Sequence, residues 1–344
     1  MPMGRLRDKI SRGEPYFIAE MSANHGNDLG LALRIVEAAA GSGADCLKVQ
    51  TYTADTLTLD CSNEWFTIHG GLWDGRRLYD LYSEAAMPWE WHEPLKARCE
   101  ELGIDFLSTP FDESAVDLLD DLGCEAFKIA SFEIVDIPLL RYAASKGKTM
   151  IVSTGMASLE DIQEAVDAIR GAGNDDLVLL RCCSEYPANP EDMNLSSIPD
   201  MSRRFGVSVG FSDHSMGHVA DVVAASLGAR VIEKHFCLDR GIKTADSTFS
   251  MEPSEFRAMV DAVRTAVSAV GEPSYAPSEV EEASLAFRRS IFACADIGEG
   301  EPFTADNIRI VRPGYGAKPK YYDELLGKAA DRPYAFGDPI VYEG

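Results

Sequence analysis

A (β/α)8 barrel, an α/β fold of the TIM-barrel class, is what the sequence predicts for residues 1–271, and three observations carry that expectation. Short apolar runs alternate with helix-length stretches from Tyr16 onward, the pattern of parallel strands joined by crossover helices. Eight such units occupy about 255 residues, close to the ~250 that a closed eight-stranded barrel takes. Polar and ionisable residues gather at the C-terminal ends of all eight runs, the rim at which such barrels carry their chemistry. A doubly wound open sheet is the alternative, but no G-x-G-x-x-G follows the first strand to support a dinucleotide site.

Taken in order, residues 1–15 read as a polar lead-in and 16–21 as a buried strand. A helix is expected over 29–40 and a strand over 46–52. The stretch 53–88, rich in aromatics and glycine, reads as an insertion, and loops that long are usually functional or flexible. Helix and strand then alternate: 89–102 and 105–109, 114–122 and 126–131, 138–145 and 150–155, 159–170 and 177–184. The last units are 195–205 and 207–212, then 218–227 and 230–236, with a closing helix over 253–270. Residues 272–288 change composition to a Pro- and Ser-containing linker, and 289–344 read as a second domain of short apolar runs broken by Gly and Pro. A domain of about 56 residues is marginal alone, so docking or dimerisation is expected.

The net charge of −24, from 32 basic against 56 acidic residues, argues against a nucleic-acid or anionic-membrane surface, since both need a basic face. It leaves room for a few cations gathered in a cleft around a small anion. No run approaches the ~18 apolar residues of a membrane span, and residues 1–7 lack the apolar core of a signal peptide. The eight cysteines show no Cys-x-x-Cys spacing, which suits reduced thiols in a cytoplasm.

The strand ends supply Glu20, then Lys48 and Gln50, then Ser108 and Thr109, then Lys128 and Ser131. They continue with Ser153 and Thr154, Arg181 and Ser184, Ser212 and His214, and finally Glu233 and His235. By the period of two, Lys48 shares a face with Gln50, Ser212 with His214, and Glu233 with His235. Lys234, between the last two, should point the other way, towards a structural partner. Any one of these residues has a bland reading, and Ser108, Thr154 and Arg181 rest on position alone, but eight polar strand ends at one rim read as a site. Lys48 and Lys128, with the hydroxyls of Thr109, Ser131, Ser153 and Ser212, suit a phosphate or carboxylate cradle. Spacing leaves two readings for His214 and His235: ligands of a divalent ion, or hydrogen-bonded rim histidines. Cys182 and Cys183, the loop of Trp65 and Trp73, His69 and His92 read as packing.

The motifs Ile18-Ala19-Glu20, Asn24-His25, Lys48-Val49-Gln50-Thr51, Ser108-Thr109-Pro110-Phe111, Lys128-Ile129-Ala130-Ser131 and Ser153-Thr154-Gly155 together resemble the sialic acid synthases. So do Tyr186-Pro187, Gly210-Phe211-Ser212-Asp213-His214 and Glu233-Lys234-His235-Phe236. The tail resembles their antifreeze-protein-like SAF domain, a β-clip fold, through Arg289-Ser290-Ile291, Gly300-Glu301, Asn307-Ile308, Arg312-Pro313 and Leu325-Leu326-Gly327-Lys328. The resemblance covers the whole chain. Most relatives read Asn-His-Asn-Gly or Asn-His-Glu-Gly where this chain has Asn24-His25-Gly26-Asn27. Gly70 to Asp74, Leu78 to Tyr82, Pro88 to His92 and Asp246 to Ser250 are most similar to the branch whose sugar is 2,4-diacetamido-2,4,6-trideoxy-L-altrose.

The resemblance implies a metal-dependent condensation of phosphoenolpyruvate with the aldehyde of an open-chain, N-acetylated amino sugar. It implies that Lys48, Thr109, Lys128, Ser131, Ser153 and Ser212 hold phosphoenolpyruvate, and that His214 and His235 bind Mn2+, with Mg2+ or Co2+ as alternatives. Glu20, Gln50, Tyr186 and Asp246 would hold the sugar, and Glu233 would assist proton transfer. Arg312 would reach the barrel of the other subunit in a domain-swapped homodimer. Sialic and legionaminic precursors are alternative sugars. Two other classes compete: a barrel aldolase forming a Schiff base on Lys48, Lys128 or Lys234, and a non-catalytic sugar- or ice-binding protein.

Overall fold

The computed structural model describes residues 4–70 and 73–344. The chain divides at Gly271 into two compact units.

The first unit begins with α1 (Gly4–Ser11), β1 (Tyr16–Glu20), α2 (Leu29–Gly41) and β2 (Cys46–Thr51). The insertion after β2 holds two short helices, α3 (Ala54–Leu57) and α4 (Leu78–Ala85). Gly71 and Leu72, in the Gly70 to Asp74 motif, lie outside the described residues, as do Met1 to Met3 of the N-terminal stretch. Regular alternation follows: α5 (His92–Leu102), β3 (Asp105–Pro110), α6 (Glu113–Asp121), β4 (Ala126–Ile129), α7 (Ile137–Ser145) and β5 (Thr149–Ser153). It ends with α8 (Leu159–Gly171), β6 (Leu177–Cys182), α9 (Ser197–Phe205), β7 (Ser208–Asp213), α10 (Val219–Ser226), β8 (Val231–His235) and α11 (Pro253–Val270).

The eight strands form one parallel sheet in the order β3-β2-β1-β8-β7-β6-β5-β4, with β1 pairing β8 across the chain's first and last strands. Strands β3 and β4 pack side by side, which brings the ends of the sheet together as a barrel. This is the fold the alternation predicts. No helix among the described residues is long and apolar enough to cross a membrane.

Alternation along each strand sorts side chains into two cores. Phe17, Ala19, Leu47, Val49, Phe127, Val152, Leu179 and Phe211 face outwards and pack under the helices. Tyr16, Ile18, Cys46, Leu107, Ile151, Val178, Leu180 and Val231 fill the lumen. The lumen is apolar only in its lower layers. One step further along the same inward phase come Glu20, Lys48, Thr109, Lys128, Ser153, Cys182, Ser212 and Glu233, all buried. The barrel therefore supplies an apolar floor and a polar top from a single period-two pattern.

The expectation of a lead-in over 1–15 is corrected. Residues 4–11 form α1, whose Leu6 is fully buried in the lumenal cluster and helps to seal the floor. Lys9 pairs with Asp45 at 2.6 Å and holds the helix there.

The second unit has the antiparallel pair β9 (Ser290–Ala293) and β10 (Ile308–Val311), preceded by α12 (Glu279–Glu282) and followed by α13 (Tyr322–Leu325). Isolated bridges from 291 to 317, 292 to 339, 297 to 334 and 302 to 329 wrap the tail back over this pair. Its core is Ile291, Ile297, Phe303, Ile308, Leu325, Tyr334 and Ile340 with a few small residues.

Candidate active site

The polar top of the lumen is organised around Lys48 and Glu233. Lys48 Nζ lies 3.2 Å from Glu20 Oε2 and 3.5 Å from Glu233 Oε2, and it donates to Thr109 Oγ1 at 3.4 Å. Lys128 Nζ donates to Ser153 Oγ at 2.7 Å and to the Ile129 carbonyl at 3.1 Å, and it lies 3.7 Å from Glu233 Oε1. Ser212 Oγ donates to the same carboxylate oxygen at 2.8 Å. Gln50 Nε2 donates to Glu20 Oε1 at 2.9 Å and to Ser22 Oγ at 3.1 Å. Ser131 Oγ accepts the Gly155 N–H at 3.1 Å, which sets its hydroxyl beside the mouth of β5.

Burial and charge divide these groups. Burial alone would push Glu233 up, but Lys128, Lys48 and the Ser212 hydroxyl outweigh it and lower its pKa to about 2. Burial wins at Glu20, raising it despite Lys48. Burial also lowers Lys128, although Glu233 opposes it, whereas Glu20 and Glu233 overcome burial at Lys48 and raise it. Oε2 of Glu20 and of Glu233 are both buried, and each faces the Lys48 ammonium as an ion pair without a well-formed hydrogen bond.

The two histidines stand beside this cluster with ring centroids 5.4 Å apart. His214 Nδ1 donates to the Cys183 carbonyl at 2.9 Å, which fixes the tautomer and leaves Nε2 as the lone-pair atom of the neutral ring. His235 is half-buried, and desolvation, with His214 and Lys48 acting in the same direction, holds its pKa well below the ordinary value. Its Nδ1 is buried without a partner. His235, neutral and with an orphaned nitrogen, and His214, with its Nδ1 fixed, fit a divalent ion; burial is outweighed at His214 by Cys182, Cys183 and Glu233, which raise its pKa, so the ion would displace a proton there. Among the described residues no group of three or more His, Cys, Asp or Glu is arranged to hold a metal, so water or substrate oxygens would complete the shell.

Tyr186 packs against both histidines, its ring centroid 4.3 Å from His214 and 5.9 Å from His235, and Phe249 lies against both Tyr186, at 5.2 Å, and His235, at 5.1 Å. Asp246 Oδ2 accepts the Ala23 N–H at 3.2 Å, and burial raises its pKa. Asn24 fastens this loop: its Nδ2 donates to the Phe236 carbonyl at 3.1 Å and to Ser250 Oγ at 2.8 Å, while Oδ1 accepts from Thr244 Oγ1 at 2.7 Å. The Gly26-Asn27 order has a physical reading. Both residues are left-handed, with φ of 53° and 57°, a conformation that Gly and Asn both tolerate, so exchanging them preserves the turn. Asn27 Nδ2 then donates to the Glu84 carbonyl at 2.9 Å and ties the insertion to the loop after β1.

Of the fourteen residues to which the resemblance gives roles, thirteen lie on the barrel at its polar end or in the loops above it. Arg312 belongs to the second unit, where it is exposed. Three weaker expectations are corrected. Ser108 Oγ bonds Thr51 Oγ1 at 2.6 Å on the outward phase, Thr154 Oγ1 donates to the Leu180 carbonyl at 3.0 Å, and Arg181 Nε donates to the Met193 carbonyl at 2.8 Å. Each satisfies local structure. His92, bonded to Thr51 Oγ1 at 2.6 Å and to the Trp89 carbonyl at 2.9 Å, is the packing residue it was read as. Cys182 is not. Its Sγ sits 3.7 Å from His214 Nδ1 and 3.6 Å from Ser184 Oγ, and His214 lowers its pKa to about 7 against the effect of burial. Its phase with Val178 and Leu180 on β6 marks it as lumenal.

Ionised groups are costly to bury, and a barrel that keeps several of them dry at one end is an enzyme's scaffold. Residues 35–275 match the NeuB family and residues 288–344 match the SAF domain. The chain is 46% identical over 325 residues to the pseudaminic acid synthase of Campylobacter jejuni, covering 94% of this chain and 95% of the relative. It is 43% identical to the pseudaminic acid synthase of Helicobacter pylori, covering 92% and 94%. The crystal structure of the sialic acid synthetase of Leptospira borgpetersenii superposes with a TM-score of 0.71 at 32% identity, covering 79% of this chain and 91% of that one. The chain belongs to the NeuB family and carries a C-terminal SAF domain; it is an enzyme of the synthase kind.

Proposed function

We propose that the enzyme condenses phosphoenolpyruvate with 2,4-diacetamido-2,4,6-trideoxy-L-altrose to give pseudaminic acid and phosphate. The observation that carries this reading is the buried pair Lys48 and Lys128, bracketed by hydroxyls and placed beside the imidazoles of His214 and His235. Identity of 46% to a pseudaminic acid synthase, over nearly the whole of both chains, supports the choice of sugar.

Lys48 and Lys128 neutralise the phosphate and carboxylate, with Thr109, Ser131, Ser153 and Ser212 as hydrogen-bonding neighbours. Gln50, Tyr186 and Asp246 orient the sugar, with Glu20 beside Gln50. C3 of the enol phosphate forms a bond to the aldehyde carbon, and the aldehyde oxygen takes up a proton to become a hydroxyl. Glu20, whose burial favours the protonated carboxyl, is placed to give that proton. Water adds to the cation left at C2, and ionised Glu233 is placed to accept its proton. The tetrahedral adduct then loses phosphate by C–O cleavage and leaves the ketone. A divalent ion held by His214 and His235, Mn2+ by preference, supplies Lewis-acid polarisation of the aldehyde when bound. Eight unpaired cysteines support a reducing, cytoplasmic setting, and the SAF domain supports a domain-swapped homodimer with Arg312 serving the partner's barrel.

The test is phosphate release from phosphoenolpyruvate labelled with 18O at the bridging oxygen, run against a panel of N-acetylated hexoses. The expected result is the fastest turnover with the L-altro sugar, label in the phosphate, loss of activity with EDTA and recovery with Mn2+. Preference for the legionaminic isomer or for N-acetylmannosamine would replace the sugar. Chelator-insensitive turnover with a borohydride-trapped pyruvate adduct would replace the mechanism by Schiff-base chemistry. No phosphate release with any sugar would end the synthase reading.

A further inference from the structure

Three ionisable residues on the outward side of β7 and β8 take no part in the lumenal site. Lys234 and Asp213 are 1% exposed and Asp221, on α10, is fully buried. Lys234 Nζ is bonded to Asp213 Oδ2 and donates to the carbonyls of Ser215 at 2.8 Å and Gly217 at 2.9 Å. Asp221 Oδ2 lies 3.7 Å from the same ammonium, and neither oxygen of Asp221 has a hydrogen-bond partner. Asp213 closes the circuit: Oδ1 accepts the Ser215 N–H at 2.8 Å and Oδ2 accepts Ser215 Oγ at 3.0 Å.

All of these bonds converge on one pentapeptide, 213–217. His214 is its second residue, directly between Asp213 and the doubly held Ser215. The imidazole side is fixed from within the barrel by Cys183, and the His214 carbonyl accepts the Ala188 N–H at 3.0 Å. The main chain on either side is fixed from outside the barrel by Lys234 and Asp213. A buried ion pair stabilises less than an apolar pair of the same volume would, so its use here points to geometry. Lys234 is also the residue before His235, and Asp213 the residue before His214. The two ions that pair are thus the immediate neighbours of the two imidazoles, joined in register across β7 and β8.

We propose that Asp213, Lys234 and Asp221 form a buried clamp that positions His214 relative to His235, and so sets the affinity of the paired imidazoles for a divalent ion. The three are positioning residues, since none touches substrate. The proposal rests on reading the two histidines as metal ligands.

The test uses the full-length protein with Mn2+ as the probe, followed by electron paramagnetic resonance of the free ion, and with 15N-labelled histidine. Asp213→Asn and Lys234→Met are expected to weaken Mn2+ binding by about 10- to 100-fold, the usual effect of losing an outer-shell partner. Phosphoenolpyruvate binding without metal, which depends on Lys48 and Lys128, should change less than about threefold in the same variants. Tyr16→Phe removes a 2.6 Å bond to Asp105 at the barrel floor and serves as the stability control: it should lower Tm and leave Mn2+ affinity unchanged. If the single variants fail to fold, the apolar triple Asp213→Leu, Asp221→Leu, Lys234→Met keeps the packing and removes the ties to Ser215 and Gly217. Unchanged Mn2+ affinity in folded clamp variants overturns the proposal, as does an equal loss in Tyr16→Phe. The His214 ring signal separates the clamp from the metal reading. In the parent it should report a single Nδ1–H tautomer and in the clamp variants a mixture. A parent that binds no Mn2+ while its clamp variants still change tautomer retires the metal reading and leaves the clamp standing; an unchanged tautomer retires the clamp.

Discussion

Glu233 is the charge on which the lumenal cluster balances. It faces both lysines, at 3.5 Å and 3.7 Å, and accepts from Ser212. Glu233→Gln keeps the shape but leaves two buried ammonium groups with one counter-charge fewer. Losing one partner of a buried pair typically costs about 3–5 kcal/mol, so the variant should be less stable by roughly that amount at pH 7. The pH dependence has a definite sign. The folded-state pKa of about 2 is below the ordinary 4.5, so the stabilisation is complete above 4.5 and is lost as pH falls through the folded value. Urea unfolding of parent and variant should therefore differ by a constant amount between pH 5 and 8 and converge between about pH 4.5 and 2. A gap that persists at pH 2 would show that the amide's shape, and not the missing charge, is responsible. Turnover in the variant should fall by about 100-fold or more if Glu233 handles the proton of the attacking water. At this scale the sequence showed the site through phase: Lys48 with Gln50 and Glu233 with His235 fall on one face because the strand period is two. The same rule separates Thr109 from Ser108 and marks Cys182 as lumenal. A buried strand cysteine reads as packing, and only the pairing with His214, from a different strand, sets this thiol apart.

The strand-to-loop junctions, more than the strands themselves, shape the cradle. Gly155, just after β5, is the clearest case. A Cβ there would lie 2.6 Å from Ser131 Oγ and also collide with Ser184 Oγ, so the chain needs a bare backbone where two hydroxyls crowd in. Gly155→Ala should displace Ser131 and raise the KM for phosphoenolpyruvate by about tenfold, an effect of about 1.4 kcal/mol, with kcat reduced less. Steady-state kinetics with the sugar saturating will show it. A variant that loses kcat with KM unchanged would place Ser131 outside the phosphoenolpyruvate contacts. The alternation of strands and helices was legible because each strand is a buried apolar run and each helix follows a turn. Helix α1 was not, since Leu6 is its one buried residue and a single apolar side chain gives no period. The buried clamp was legible only in part. Alternation turned Lys234 away from the lumen, but Asp221 is 13 residues earlier on a helix, and nothing local in the sequence brings the two together.

For the whole molecule, the proposed function asks a chain of net charge −24 to hold a multiply charged anion, and the two cations buried in the lumen, Lys48 and Lys128, would carry that task. On that reading the lumenal lysines serve the anion and His214 and His235 the metal. Arg312, exposed on the SAF domain, is the remaining cation that the family resemblance assigns to the sugar. If it serves the partner's barrel, a complete site takes residues from two chains, and mixing can repair what mutation breaks. Arg312→Ala retains a sound barrel, and His235→Ala retains a sound Arg312. Each alone should be nearly inactive. After equal mixing and full exchange, half the dimers are mixed, and each mixed dimer holds one site with both a sound barrel and a sound Arg312. About a quarter of all sites should then recover, giving about 25% of the parent's activity. Exchange is checked independently by native mass spectrometry of subunits carrying different tags. If Arg312 instead serves its own barrel, every mixed dimer combines one site lacking Arg312 with one lacking His235, and activity stays at the mean of the two single variants. Confirmed exchange without recovery would therefore rule out the swap and return Arg312 to a role within its own chain.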